Sequence, residues 1–162
     1  MSETAPTPVP PLTVNLQYVK DLSFEVPGAP GIYASLRSHP QVAINLDVQV
    51  KRIEETPSVW EVTLAIRAEA TESAAPNGDD SAKPRSVFLA ELAYAGIFTL
   101  TNIAPENVEP VLLIECPRLL FPYARNILAD VTRESGFPPV LLQPIDFVAL
   151  WQARRAQPAA NA

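Results

Sequence analysis

Apolar and polar side chains alternate through the first half of the chain. From Val14 to Val26 the even positions are Val14, Leu16, Tyr18, Leu22, Phe24 and Val26, with Lys20 as the one polar interruption. The odd positions include Asn15, Gln17, Asp21, Ser23 and Glu25. A period of two predicts a strand with one buried face. The stretch PGAPG at 27–31 stops it. A second run alternates through Val42, Ile44, Leu46, Val48 and Val50, and a third through Trp60, Val62, Leu64, Ile66 and Ala68. The short break between them predicts a hairpin. A fourth strand, Val87 to Leu100, is apolar at even and odd positions alike, apart from Glu91 and Thr99. A strand apolar on both faces is covered on both. Helices can take one face, and a second subunit or a bound chain the other.

The period then lengthens. Pro105-Glu106 is a helix start, followed at helical spacing by Val108, Val111 and Leu112. Pro117 and Pro122 predict a bend or a restart. Ala124, Ile127, Leu128 and Val131 form one apolar face, and Gly136 with Pro138 and Pro139 ends that helix. A last helix is predicted from Pro144, with Asp146 in its first turn and Arg154 and Arg155 at its end, where each charge suits the helix dipole. Strands followed by helices make an α+β protein: a four-stranded antiparallel sheet with helices on one face. Residues 1–12 read as a disordered lead-in, 13–156 as one domain and 157–162 as a loose tail. Residues 73–86, SAAPNGDDSAKPRS, read as a long polar loop.

Composition narrows the function. The 162 residues are 48% apolar and 19% charged, and the mean hydropathy is +0.08. That is high for a lone monomer and suggests apolar surface reserved for contacts. A net charge of −6 argues against nucleic acid and anionic membrane as partners, and suits a basic partner. One cysteine, no signal-like N-terminus and no long apolar run predict a cytoplasmic protein with no membrane insertion. The chemistry-bearing residues are sparse. His39 stands without companions at metal-ligand spacing, and Cys116 reads as a small core hydrophobe. Asp21 and Glu25 share a strand face, as a solvated surface, an acidic docking patch, or an acid–base pair. Tyr33, Phe147 and Trp151 read as core packing or as the wall of a groove for extended apolar peptide. An apolar small-molecule carrier using a cavity between sheet and helices is the alternative.

Three blocks, YVKDLSFEVPGAP (18–30), VFLAELAYAGIFTL (87–100) and CPRLLFPYARNILADVTRESGFPPVLLQPIDFVALW (116–151), resemble the bacterial protein-export chaperone family SecB. The likeness spans about residues 14–151. It implies a homotetramer built as a dimer of dimers, with no catalytic activity and no cofactor. It implies a holdase that binds unfolded precursor polypeptides and delivers them to the translocation ATPase SecA. The family's SecA-docking positions match Asp21, Glu25, Leu89 and Glu91, all odd-numbered and so expected on the sheet face away from the helices. Its tetramer-assembly positions match Ala90, Leu92 and Tyr94 on the opposite face. Its client-groove positions match Ile44, Leu46 and Trp151, to which proximity and aromatic character add Tyr33, Phe147 and Leu150. The family often carries Cys where this chain has Ala90, and two glycines where it has Ala95-Gly96.

Overall fold

Four strands build one antiparallel sheet in the order β1-β4-β3-β2: β1 Leu12–Glu25, β2 Gln41–Arg52, β3 Val59–Glu72 and β4 Arg85–Leu100. The computed structural model describes residues 7–53, 55–73 and 83–157. The β2–β3 hairpin is present, pairing Val42 with Ala70 through Arg52 with Trp60. The strand that is apolar on both faces, β4, lies inside the sheet between β1 and β3, so the edges fall to β1 and β2. The crossover from β1 to β2 contains one short helix that the alternating pattern did not predict, α1 Gly31–Ser35. After the sheet come α2 Pro105–Pro110, a π-helical turn Val111–Glu115, α3 Cys116–Glu134 and α4 Phe147–Ala156. Residues 1–6, most of the polar loop (74–82) and residues 158–162 of the tail lie outside the described residues.

Even positions of β4 face the helices: Phe88, Ala90, Leu92, Tyr94, Phe98 and Leu100 are all buried. The odd positions Leu89, Glu91, Ala93 and Ile97 form the half-covered outer face. The single even-numbered apolar face expected for β1 is corrected here. The register skips Asn15 and Lys20, which have no opposite residue in β4. Each bulge moves the following side chains to the other face. Leu16 and Tyr18 therefore sit opposite Ile97 and Ala95 on the outer face, while Gln17 and Val19 face Gly96 and Tyr94. The second bulge restores the parity, returning Leu22 and Phe24 to the helix side and leaving Asp21 and Glu25 on the outer face. Lys20, which interrupted the apolar series, is the bulged residue itself.

The helical half also departs from its predicted breaks. Pro117 and Pro122 do not divide the segment: Pro117 falls in the first turn of α3 and Pro122 lies inside it. Pro117 forfeits one backbone hydrogen bond, at the point where the ladder passes from the π-helical turn into α3. The preceding wide turn, closed by Cys116 N–H donating to Val111 O, gives its ring room beside the earlier carbonyls. Leu120, Ala124, Leu128 and Thr132 follow at intervals of four and are fully buried against the sheet. The Thr132 hydroxyl hydrogen-bonds the Leu128 carbonyl at 3.0 Å and accepts the Val140 N–H at 2.9 Å, tying α3 to the segment after it. Asp146 is the N-cap of the last helix rather than part of its first turn, and it accepts the Ala149 N–H at 3.0 Å. A second, smaller core joins Ile32, Ala70, Val87, Phe88 and Phe137, with Phe24 stacked on Phe88 at 5.1 Å.

Candidate functional site

The Pro138-Pro139 pair keeps the chain after α3 out of helix and ladder, so residues 137–145 run as an irregular arm beside the edge strand β2. Even positions of β2 point to the helix side. Three openings follow one another along them. The first, about 500 Å³, lies against Val42 and Ile44, with Phe88 and Phe137 at its base and Leu141 on the arm. The second, about 290 Å³, lies against Leu46 and Val48, with Leu113, Leu150 and Trp151 opposite. The third, about 460 Å³, lies against Val50, Trp60, Val108 and Leu112. Successive even residues on a strand are roughly 6.6 Å apart, and each of the first two openings takes two of them, so the openings recur about every four residues along the edge. Ile44 is 40% exposed and Leu141 57%, so apolar side chains face each other across the first opening.

Of the expected groove residues, Ile44 lines the first opening and Leu46, Leu150 and Trp151 the second. Tyr33 lies behind the first. Its ring stacks on Phe137 at 5.3 Å, and its hydroxyl donates to the Ser135 carbonyl at 2.7 Å. Gly136 is favoured beneath it by its φ of 87°, and a Cβ there would sit a tight 3.2 Å from the Tyr33 ring. Phe147 is corrected: it is 2% exposed, packs edge-on against Phe121 at 6.0 Å, and lines none of these three openings. The i, i+4 pairing of Phe147 with Trp151 thus joins a core anchor to a groove wall. Phe137, Val140 and Leu141 were missed because an irregular arm has no periodicity to read. His39, expected on the surface, is exposed at the mouth of the first opening. Cys116 is fully buried, and burial pushes its thiol up to about 12, as suits a packing residue rather than a nucleophile.

The outer sheet face has a different character. Asp21, Asn45, Asp47, Arg67, Glu91 and Ala93 surround a shallow depression of about 260 Å³. Glu25 sits opposite Leu89 in the register, and Ser23 opposite Glu91, so the four expected docking residues share this face. Asp47, across β3, joins the acidic group through sheet pairing that single-strand patterns do not reveal. Arg67 stands among these acids and binds Glu91 at 2.6 Å.

Ala90, Leu92 and Tyr94 lie on the helix side, as expected, but are buried within the subunit itself, at 0%, 2% and 7% exposure. Ala90 and Leu92 have no surface for direct contact with another chain. Tyr94 does reach the surface indirectly, through Tyr123 stacked on it at 6.1 Å. Tyr123, Leu119, Val19 and Leu22 form an exposed apolar strip where α3 stops short of edge strand β1.

These features agree with the comparisons. Residues 5–158 match the family of the preprotein translocase subunit SecB. The chain is 67% identical over 156 residues to the protein-export protein SecB of Granulibacter bethesdensis, covering 96% of this chain and 89% of that one. It is 64% identical over 160 residues to the corresponding protein of Acidiphilium cryptum, covering 97% and 95%. In fold it resembles a Mycobacterium tuberculosis SecB-like chaperone solved in complex with an antitoxin peptide, with a TM-score of 0.63 at 16% identity, covering 83% of this chain and 91% of that one. With its sheet, its long helix and nearly its whole length matched, the chain belongs to the SecB family of protein-export proteins.

Proposed function

We propose that this protein is a cytoplasmic holdase for export. It captures unfolded precursor polypeptides along the β2 edge and passes them to the translocation ATPase SecA, docked on the acidic outer face. The observation that carries the reading is the line of apolar openings along β2. An unfolded chain exposes apolar side chains that a folded one buries, so selectivity for the unfolded state needs no sequence motif. Each buried side chain contributes about 1.5–3 kcal/mol, and ordering the client offsets much of it. Several weak sites on one assembly give avidity, because later contacts are intramolecular. The uncovered strip of Val19, Leu22, Leu119 and Tyr123 supports such an assembly, a homotetramer arranged as a dimer of dimers. Capture of the unfolded state acts by mass action and requires no nucleotide. Asp21, Glu25, Leu89 and Glu91 supply an acidic surface with apolar contacts for a basic segment of SecA.

Two substitutions separate the two surfaces. Ile44→Asp should weaken capture of a denatured precursor while SecA binding persists. Glu91→Lys should do the reverse, since the new cation would lie beside Arg67. Titrations of each variant with denatured precursor and with SecA read both. Loss of both activities in either variant, or of neither, sinks the division of labour. Fixed-stoichiometry binding of an apolar small molecule with no delay of precursor refolding would favour the carrier reading instead.

A further inference from the structure

Glu72, the last residue of β3, is a carboxylate that the fold nearly closes over: its side chain is 10% exposed. Neither the acidic docking face nor the apolar openings use it. Its Oε1 accepts the Arg37 N–H at 2.9 Å and the Ser38 N–H at 3.3 Å, and the Ser38 hydroxyl lies at 3.5 Å. Its other oxygen pairs with Arg85, which faces it across the β3–β4 ladder. Arg85 reaches on to the Ser35 hydroxyl at 3.0 Å. The carboxylate is held below the ordinary value of 4.5, chiefly by the Arg37 backbone N–H and then by Arg85.

These bonds hold Arg37 and Ser38, at the end of the crossover, which lie in neither neighbouring element: α1 closes with the Leu36 N–H on the Ile32 carbonyl, and β2 begins only at Gln41. Their amides have no ladder partner, so a buried carboxylate supplies the acceptor that the backbone lacks. Immediately after them come His39 and Pro40, which form the mouth of the first opening, and then Val42 and Ile44, its sheet-side wall.

We propose that Glu72, charge-paired with Arg85, is the positioning residue of the peptide groove, holding the crossover as one lip of the first opening. The proposal rests on the groove reading given above. Glu72 touches no client; it acts through the backbone of Arg37 and Ser38. Glu72→Gln retains the size and one acceptor but loses the charge, and a neutral amide then faces Arg85. Affinity for an extended apolar peptide should fall about tenfold, the scale of a charged hydrogen bond. Hydrogen exchange at the Arg37 and Ser38 amides should quicken at the same time. Glu72→Asp should restore much of both, and Arg85→Gln, which leaves the amide contacts in place, should weaken binding less.

The test measures peptide binding by fluorescence anisotropy with an unfolded apolar peptide, with amide exchange on the same full-length variants and Ile44→Asp as reference. Ile44→Asp weakening binding together with the Glu72 pattern supports the proposal. Unchanged peptide affinity in Glu72→Gln overturns it, as does weaker binding with unaltered exchange at Arg37 and Ser38, or failure of Glu72→Asp to recover. If Glu72→Gln does not fold, unchanged peptide affinity in folded Arg85→Gln overturns it. Full binding by Ile44→Asp would instead remove the groove reading itself, which a failure at Glu72 alone would not.

Discussion

Gly96 lies on the helix-facing side of β4, beneath Leu120 of α3. A Cβ there would stand 2.6 Å from the Phe98 ring and 3.0 Å from Leu120 Cδ2. Both neighbours are fully buried and have little room to move. Gly96→Ala should therefore cost about 1–3 kcal/mol of overpacking, read as a lower midpoint in denaturant titration. The neighbouring Ala95 belongs to the outer face, opposite Tyr18 and Thr63, and is itself fully buried there. On that outer face Glu61 binds Lys20 at 2.5 Å and accepts the Tyr18 hydroxyl, with Lys51 nearby on β2. Lys20 first and Tyr18 second hold its carboxyl below the ordinary 4.5. A carboxylate lowered on folding contributes stability above its unfolded value and loses it as pH falls through the folded one. Acidification below about pH 4.5 should erode this contribution, and Glu61→Gln should flatten the stability profile there, as followed by thermal melts across pH. Tyr18, pushed up to about 12 by burial and then by Glu61, contributes stability that is lost above pH 10. None of these contacts was legible from β1 alone, because a bulge decides that Tyr18 faces outward.

At the scale of elements, strand existence and hairpin pairing followed from alternation, since a residue's face in a strand depends only on parity. That rule fails where a bulge inserts one residue, and Asn15 and Lys20 insert two. The prolines of the long helix misled for a related reason. Proline forbids an interior hydrogen bond, but a first-turn position or a preceding wide turn makes the loss tolerable, and those depend on neighbours in space. The last helix shows how a short polar contact sets an element's start. Asp146 caps α4, whose Arg154 donates to the Val48 carbonyl on the β2 edge at 2.8 Å and whose Trp151 indole N–H reaches Glu109 at 3.3 Å. Asp146→Ala should cost about 1 kcal/mol, the usual loss for a cap. The loss should concentrate in α4, with faster amide exchange at Ala149 and Leu150 and little change in β3 or β4.

At the scale of the molecule, the two edge strands carry apolar surfaces of different shape. One is the stepped edge of β2, open in pieces; the other is the strip of Val19, Leu22, Leu119 and Tyr123 beside β1. Exposed apolar patches mark contact sites, and the strip beside β1 is suited to a self-complementary contact. Tyr123→Asp places a charge in that strip without touching the β2 side. Light scattering should then report a smaller particle than the unaltered protein forms, and capture of denatured precursor should weaken through lost avidity rather than lost sites. An unchanged mass would show that the strip does not hold subunits together.

By itself the sequence determined the α+β class, the four strands, the hairpin, the hydrophobic core side of β4 and the family, because period and motif are local properties of the chain. It also placed Asp21, Glu25, Leu89 and Glu91 on one face by parity, correctly after two bulges cancelled. Only the tertiary structure decided that Phe147 is buried, that Ala90 and Leu92 are interior, that Asp47 joins the acidic face and that the arm at 137–145 walls the groove. Each of these depends on which elements lie side by side, and burial is a property of neighbours that no single stretch of sequence carries.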